Sequence, residues 1–286
     1  MPANYDKLMA LQSKDVRYKY EERDTLLYAV SIGMGRDPGN AAELPYIFEK
    51  LPLRTVPSQA VVVARQRLIW DVGLNIGKML HGEQKLTLHR PLPAAAELLA
   101  DAHIAEVYDK GPGKGAFLQL EGTVRDAADN EPLFSWMSLI FARGDGGIGG
   151  SSAKAPAPHT MPTRTPDLIA TAETRPEQAA LYRLNGDRNL VHIDPEVARV
   201  ASFPRPILHG ACTYAIACRE VLAHVCAYDH TRIRTFDVRF TSVVFPGEQV
   251  ETQIWLDGNV VSFRCRTPQR DVIVLDHGRC ELQSAG

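Results

Sequence analysis

Cysteine is scarce in this chain of 286 residues and absent before position 212. An odd number of cysteines without Cys-x-x-Cys spacing argues against a disulfide framework and against a zinc site. We interpret all of them as reduced packing residues, and we predict a cytoplasmic location. The five are Cys212, Cys218, Cys226, Cys265 and Cys280.

Long apolar runs and an excess of charge of one sign are also lacking. The formal net charge of −2 offers no general attraction to nucleic acid or to an anionic membrane. The first residues, MPANYDKLMALQSKDVRY, carry charges throughout and contain no apolar core of a secretion signal. No later stretch is long and apolar enough to span a bilayer. We therefore expect neither nucleic acid nor a membrane as a partner.

Glycine and proline, by contrast, are concentrated in one segment, Gly144–His159. This composition predicts a flexible and then extended linker. A phosphate-binding glycine loop is less favoured, because no Lys-Ser/Thr follows and the glycines do not open a helix. The predicted organisation is an N-terminal repeat (1–150), a linker (151–165) and a C-terminal repeat (166–286).

The two halves have weakly similar sequence patterns, since each contains a predicted strand of alternating apolar residues that ends near a proline, Pro93 or Pro246. In the second half, Asp194 and the proline after it are typical of a helix start. The run from Ile207 to Val225 is apolar nearly all round, which predicts a buried helix.

Strand candidates follow this helix from Arg234 to Leu282. A long helix enclosed by antiparallel strands is the hot-dog arrangement, so the prediction is an α+β chain. Together with the similar pattern in the first half, it indicates a tandem repeat of one α+β unit.

Asp187 and His192 are the most informative pair for chemistry. Their spacing would place them about 140° apart on a helix, so they could not share a substrate there. Gly186 and Asn189 instead favour a loop that turns both side chains towards one point. A carboxylate and an imidazole converging on one water form a general acid/base pair, and Asn189 could orient the loop or the water.

Gly210 is predicted to begin the buried helix, where a free N–H and the positive end of the dipole could stabilise a developing oxyanion. Each of these features also has an ordinary structural explanation as turn, packing residue or cap. A metal site built from Asp187, His192, Asp194 and His209 is a further alternative, although a helix cap explains Asp194 better.

The segment YRLNGDRNLVHIDPEVARVASFPRPILHG closely resembles the signature of MaoC-like, (R)-specific enoyl-CoA hydratases, the type 2 hydratases. Five first-half segments resemble the amino-terminal repeat of two-repeat members: LLYAVSIGMG, LPYIFEKL, MLHGEQKLTLHRPLP, VYDKGPGKGA and RGDGGIGG. The likeness covers the chain from about Tyr20 to the last strand. It implies a double hot-dog in which only the C-terminal repeat keeps the chemistry, while the first accommodates the acyl chain.

The resemblance also implies roles for single residues. Asp187 and His192 would be the catalytic pair, Gly210 would supply the oxyanion N–H, and Asn189 is the motif asparagine beside them. Four further residues would support the site, Arg183 by ion pairing with an acid and Glu49 as the best candidate for a direct contribution. These four are Tyr28, Glu49, Glu83 and Arg183.

The reaction implied is the reversible syn addition of water to a trans-2-enoyl-CoA, giving a (3R)-3-hydroxyacyl-CoA. No cofactor and no metal are expected, because CoA is part of the substrate and the thioester already acidifies C2. A homodimer of double hot-dogs is expected. Leu190 stands where the family has proline, and Asn185 where it has serine or threonine. An acyl-CoA thioesterase and a non-catalytic acyl-CoA-binding subunit are the alternatives.

Overall fold

A computed structural model describes residues 3–65, 68–70, 72–151, 153 and 155–283. In the first half these form helices α1 to α4 and strands β1 to β5. The helices are α1 (Tyr5–Met9), α2 (Glu22–Ser31), α3 (Leu44–Ile47) and α4 (Ala60–Val63). The strands are β1 (Gln12–Tyr20), β2 (Met79–Leu88), β3 (Ala96–Asp109), β4 (Ala116–Asp126) and β5 (Pro132–Ala142).

The second half contributes helices α5 to α7 and strands β6 to β10. The helices are α5 (Gln178–Tyr182), α6 (Pro195–Val200) and α7 (Gly210–His224). The strands are β6 (Leu168–Glu173), β7 (Ile233–Phe240), β8 (Gln249–Asp257), β9 (Val260–Thr267) and β10 (Val272–Leu282). Short 3₁₀ turns lie between several of these elements.

The described strands form one sheet with the order β1-β3-β4-β5-β2-β7-β10-β9-β8-β6. If the strands of each half are numbered separately, both halves have the order 1-3-4-5-2, and the two meet through their second strands. The pairings between neighbours are antiparallel. The chain is thus a tandem repeat of one unit, and the predicted α+β double hot-dog is confirmed. The residue boundaries proposed for the repeats stay a prediction.

The seam between the halves is the pairing of β2 with β7. Glu83 lies opposite Arg239, and Thr87 lies opposite Thr235. The Arg239 side chain donates a hydrogen bond of 2.9 Å from Nε to the buried Glu83 carboxylate. A strand at a sheet edge has unpaired N–H and C=O groups, and at this seam β2 and β7 pair these groups with each other.

Helix α7 lies at the centre of the second repeat and packs against β6, β7 and β8. Most of its apolar residues, among them Leu222 and Val221, are buried, as the pattern between Ile207 and Val225 predicts. Burying an aliphatic side chain of this size contributes about 1.5–3 kcal/mol relative to leaving it exposed. The predicted helix start at Gly210 is confirmed, and β7 to β10 cover the predicted strand region.

The first repeat lacks an equally long central helix among the described residues. The segment before β2 that corresponds to α7 contains a 3₁₀ turn, Pro57–Gln59, and the single turn of α4. Three consecutive β-branched valines, 61 to 63, lower helix propensity there. The two repeats therefore share strand order while differing in what their sheets enclose.

The five cysteines are all free and buried, as predicted for packing residues. Burial raises the pKa of the Cys212 thiol above its ordinary value, so this thiol stays protonated at neutral pH. Among the helices that the structure describes, none has the length and apolar character needed to cross a membrane.

Candidate active site

The segment with the predicted catalytic pair is a loop between α5 and α6. Arg183–Asn185 form one 3₁₀ turn, and Leu190–His192 form a second. Gly186 joins them with φ of 108°, in the left-handed region that favours glycine. The predicted non-helical loop is therefore present, with its reversal at Gly186.

Asn189 shapes this loop through its side chain. Its amide oxygen accepts a hydrogen bond of 3.2 Å from the Val191 N–H and caps the second turn. The Asp187 carboxylate in turn accepts a hydrogen bond of 3.2 Å from the Asn189 N–H. Asn189 thus orients the loop that contains Asp187 and His192, one of the two functions considered for it.

Asp194 closes the loop as the cap of α6. Its Oδ1 accepts hydrogen bonds from the N–H groups of Glu196 (2.8 Å) and Val197 (3.3 Å). The predicted capping function is confirmed. Asp194 therefore does not join the cluster of His and Asp side chains that the metal alternative requires.

Asp187, His192 and His209 form the cluster at the centre of the site. One potential ligand atom from each lies within 4.8 Å of the others. The rings of His192 and His209 stack with their centroids 3.7 Å apart. The structure therefore brings the predicted pair together and adds His209, the residue immediately before Gly210 in the same motif.

Hydrogen bonds to backbone carbonyls fix the tautomers of both imidazoles. His192 Nδ1 lies 2.9 Å from the Ile207 carbonyl oxygen, and His209 Nε2 lies 3.1 Å from that of Asp187. Because a carbonyl only accepts, both nitrogens must carry the proton. The opposite nitrogens, Nε2 of His192 and Nδ1 of His209, then keep free lone pairs. His209 Nδ1 is buried without a partner among the described residues.

Burial and neighbouring charges set the ionisation of the cluster. Burial lowers the pKa of His192 below its ordinary value, and burial together with His192 lowers the pKa of His209 to about 4. Both rings are therefore neutral at physiological pH. For Asp187, burial opposes ionisation, but the charge and the hydrogen bond of Arg65 outweigh it and hold the pKa of this carboxyl below its ordinary value. The cluster is one carboxylate with two neutral imidazoles.

Arg65 is the partner of Asp187 and comes from the first repeat. Its Nη1 lies 2.8 Å from Asp187 Oδ2, and the two side chains are 45% and 20% exposed. Sequence reasoning missed Arg65 because it belongs to no motif. The three clustered residues could ligate a divalent ion by type, but a guanidinium at this distance opposes a metal cation on the same carboxylate.

Gly210 begins α7 beside this cluster. As the first residue of a 15-residue helix, it has an N–H without an intrahelical acceptor. Outside the helix too, no backbone carbonyl in the described part of the chain accepts a hydrogen bond from the Gly210 N–H. Gly210 also lines a cavity of about 1380 Å³ that extends into the first repeat. A free N–H at the positive end of a helix dipole, facing a cavity, can stabilise a developing oxyanion.

Two of the predicted supporting residues connect the repeats. Glu83 lines the same cavity and is held by Arg239 across the seam. The buried hydroxyl of Tyr28 donates to Ser58 Oγ at 3.0 Å, and its ring lies 6.2 Å from that of Tyr182. Tyr28 therefore packs against Tyr182 at the end of α5, where the loop with Asp187 and His192 begins. It forms no hydrogen bond with the described residues of the cluster.

The other two predicted supporting residues are Arg183 and Glu49. Arg183 forms no ion pair with any residue that the structure describes, and its Nε is buried without a hydrogen-bond partner. The Arg183 ion pair with an acid stays a prediction. Glu49 is exposed after α3, and within residues 3–65 and the later described ranges it has no hydrogen bond to Asp187 or His192. Its direct contribution stays a prediction.

His81 is a cavity residue that sequence reasoning missed. It lies in β2 within the segment LHGEQ, two residues before Glu83, and lines the cavity. Its ring is 4.6 Å from that of Phe240. The signal was available, since His81 belongs to the same first-half segment that contains Glu83.

Comparisons with known proteins agree with this fold. Residues 157–276 match the MaoC like domain, and residues 18–144 match the MFE-2 hydratase 2 N-terminal domain. Enoyl-CoA hydratase 2, peroxisomal, from Arabidopsis thaliana is 35% identical over 95% of this chain and 93% of its own. 3-hydroxyacyl-thioester dehydratase Y from Mycobacterium tuberculosis is 37% identical over 92% and 93%.

Solved structures give the same result. The crystal structure of a MaoC-like dehydratase from Phytophthora capsici superposes with a TM-score of 0.85 at 30% identity, covering 98% of both chains. The fold and site thus define a two-repeat hot-dog protein with an Asp/His cluster in its second repeat. The chain belongs to the MaoC-like enoyl-CoA hydratase 2 family, in the form that carries the MFE-2 hydratase 2 N-terminal domain.

Proposed function

We propose that this protein catalyses the reversible syn addition of water to trans-2-enoyl-CoA, giving (3R)-3-hydroxyacyl-CoA. The observation that carries the proposal is the geometry of the Asp187, His192 and His209 cluster at the start of α7. An ionised Asp187 and a neutral His192 with a free Nε2 lie together, and Gly210 next to them presents a free N–H. Relatives that match nearly the whole chain are named as enoyl-CoA hydratases and a 3-hydroxyacyl-thioester dehydratase.

The acceptors of the cluster suit one water molecule. A water bound there donates its protons to the Asp187 carboxylate and His192 Nε2, which leaves its oxygen lone pair directed at C3 of the substrate. As the C3–O bond forms, the pair takes up one proton, and a proton passes from the pair to C2 on the same face. The pair ends in its starting state, and the atoms of one water have been added.

Gly210 acts on the other end of the reacting system. When oxygen attacks C3, negative charge develops on the thioester oxygen, which becomes enolate-like. The Gly210 N–H and the dipole of α7 stabilise that charge. The thioester supplies the acidity of C2, so we infer that neither a metal nor a redox cofactor takes part.

A panel of trans-2-enoyl-CoA substrates of different chain lengths tests the function. Loss of the enoyl thioester chromophore measures hydration, and chiral analysis of the product is expected to give the 3R alcohol. Release of free CoA thiol would instead indicate the thioesterase alternative. Binding of the thioester without either change would indicate the non-catalytic subunit. Neither alternative has support among the relatives compared.

The oligomeric state and the cellular location of the protein are two further proposals. We infer a homodimer of double hot-dogs in the cytoplasm, although the names of several relatives contain the word peroxisomal. Sedimentation of the purified protein measures the first, and imaging of the tagged full-length chain in its native cells measures the second.

A further inference from the structure

His209 is the most deeply buried member of the cluster, with 1% of its surface exposed. It stacks on the His192 ring with the centroids 3.7 Å apart, and its Nε2 donates to the Asp187 carbonyl oxygen at 3.1 Å. We propose that His209 is a positioning residue that holds the general acid/base pair in place beside the Gly210 N–H. This inference rests on the proposed function, since it assigns how the reacting groups of that same site are kept together.

The backbone of His209 is fixed where α7 begins. Its carbonyl oxygen accepts hydrogen bonds from the N–H groups of Cys212 (2.9 Å) and Thr213 (3.1 Å) in the first turn of the helix. One residue earlier, the Leu208 N–H donates to the Val244 carbonyl oxygen at 2.7 Å. These bonds join His209 to the central helix on one side and to the segment between β7 and β8 on the other. Its side chain therefore extends from a firmly held support.

The side chain of His209 contacts the loop with the catalytic pair at three points along its length. Tyr182 lies at the end of α5, where the loop begins, Asp187 lies near the middle, and His192 lies near the end. The completely buried Tyr182 ring lies 5.0 Å from the His209 ring. Loops are ordinarily more mobile than the elements they connect. Three contacts to one buried side chain therefore restrain the distance between the two proposed proton carriers.

The stacked ring also suits the charge that develops on the catalytic pair. In the proposed steps the pair takes up one proton, and on His192 this proton produces an imidazolium. The face of a neutral aromatic ring attracts a cation placed against it. His209 remains neutral at physiological pH, because burial lowers its pKa to about 4. A charged ring at the same position would repel the imidazolium instead.

Neither nitrogen of His209 is available to the substrate. Nε2 donates to the Asp187 carbonyl oxygen, and Nδ1 is buried without a hydrogen-bond partner among the described residues. A third proton carrier would need a nitrogen that reaches the reacting atoms. His209 therefore acts through Asp187 and His192 and does not itself transfer a proton.

Three substitutions separate the hydrogen bond of His209 from its ring. His209→Gln keeps an N–H donor at the reach of Nε2 but removes the ring, His209→Phe keeps a ring but removes the donor, and His209→Leu removes both. In the hydration of trans-2-enoyl-CoA, we expect kcat to fall about 3- to 10-fold in the first two variants, the size of one hydrogen bond or one ring contact. His209→Leu should lose about 100-fold, the effect of a displacement of about 1 Å at a reacting group. KM should stay close to that of the wild type.

The His192→Ala background gives a readout that a merely structural role would not move. Without the His192 ring, the His209 ring has no catalytic group to hold, so adding His209→Gln should leave the remaining kcat unchanged. A loss of the same size in both backgrounds would overturn the proposal, and so would wild-type kcat in all the His209 variants. If His209→Leu does not fold, the Gln and Phe variants decide the result alone.

His230→Phe is the matched control, because His230 follows the end of α7 opposite to the site. Its ring meets Tyr46 edge-on with the centroids 6.3 Å apart, and its Nδ1 is likewise buried without a partner in the described ranges. Its kcat and KM should equal those of the wild type. A loss as large as that of His209→Phe would overturn the proposal, since any histidine of this kind would then suffice. Failure of the proposed function looks different, because the wild type would then hydrate no enoyl-CoA.

Discussion

Arg65 of the first repeat lies 2.8 Å from the carboxylate of Asp187 in the second repeat. This ion pair crosses between the halves at the site where the chemistry is proposed. It keeps Asp187 ionised although burial alone would favour the neutral acid. The first repeat therefore contributes a charge to the site even though its sequence contains no Asp-x4-His segment.

Replacing Arg65 is expected to shift the pH dependence of the reaction. The proposed active form has Asp187 ionised, so activity rises with pH through the pKa of this carboxyl. Arg65 lowers that pKa, and Arg65→Gln should raise it and move the acidic limb of kcat/KM to higher pH. Because Arg65 is 45% exposed and therefore screened, activity at neutral pH should fall by less than about tenfold.

Arg65→Lys serves as the control for this shift, since lysine keeps the positive charge. Its acidic limb should stay closer to that of the wild type than the limb of Arg65→Gln. An acidic limb that does not move in Arg65→Gln would mean that Asp187 ionisation does not control the rate.

Chelation tests whether the His/Asp cluster acts without a metal. We expect full hydration activity after prolonged dialysis against a strong chelator, because the proposed steps need only proton carriers and the Gly210 N–H. The guanidinium of Arg65 also disfavours a divalent ion on Asp187. Loss of activity on dialysis and its return with zinc would contradict this expectation, and His209 would then be a ligand candidate.

Much of the site could be predicted from the sequence because its signals are local. The cap at Asp194, the turn at Gly186 and the helix start at Gly210 all depend on neighbouring residues, and each is present. Such features follow from backbone preferences that any chain obeys. The resemblance to a known family then indicated which of them surround the chemistry.

The contacts that the sequence did not reveal are those between the halves. Arg65 and Asp187 meet only because the two repeats join through β2 and β7, and nothing near Arg65 in the chain indicates its partner. Long-range pairing depends on the assembled sheet, and one sequence does not encode it in any local pattern.

Separating the repeats is expected to destroy activity. The fragment 165–286 would expose the edge of β7 that pairs with β2, and it would leave Arg239 without Glu83. An unpaired strand edge promotes association with another chain. We expect the fragment to be insoluble or self-paired by size-exclusion chromatography, and unable to hydrate enoyl-CoA. A monomeric fragment with full activity would contradict the need for the first repeat.

The last prediction concerns the proposed catalytic pair. Asp187→Asn keeps the shape of the side chain but removes its charge and its capacity to accept a proton, and His192→Ala removes the second proton carrier. Each change alone should lower kcat by about 10²–10⁴-fold, the range for one general acid or base. The double variant should be little worse than either, because groups that act as a unit fail together. KM should change little, since neither side chain is expected to bind the CoA portion of the substrate.

Asp194→Asn is the internal control for that experiment, because it makes the same chemical change in the same loop. Asp194 caps α6 through hydrogen bonds to the N–H groups of Glu196 and Val197. Asparagine caps a helix nearly as well as aspartate, so kcat and thermal stability should both stay close to the wild type. The structure thus predicts opposite results for two carboxylates of one loop: kcat falls in Asp187→Asn and is kept in Asp194→Asn. Steady-state kinetics of the two variants tests both predictions. If Asp194→Asn abolished turnover while Asp187→Asn left it intact, the cluster around His192 would not be the catalytic centre.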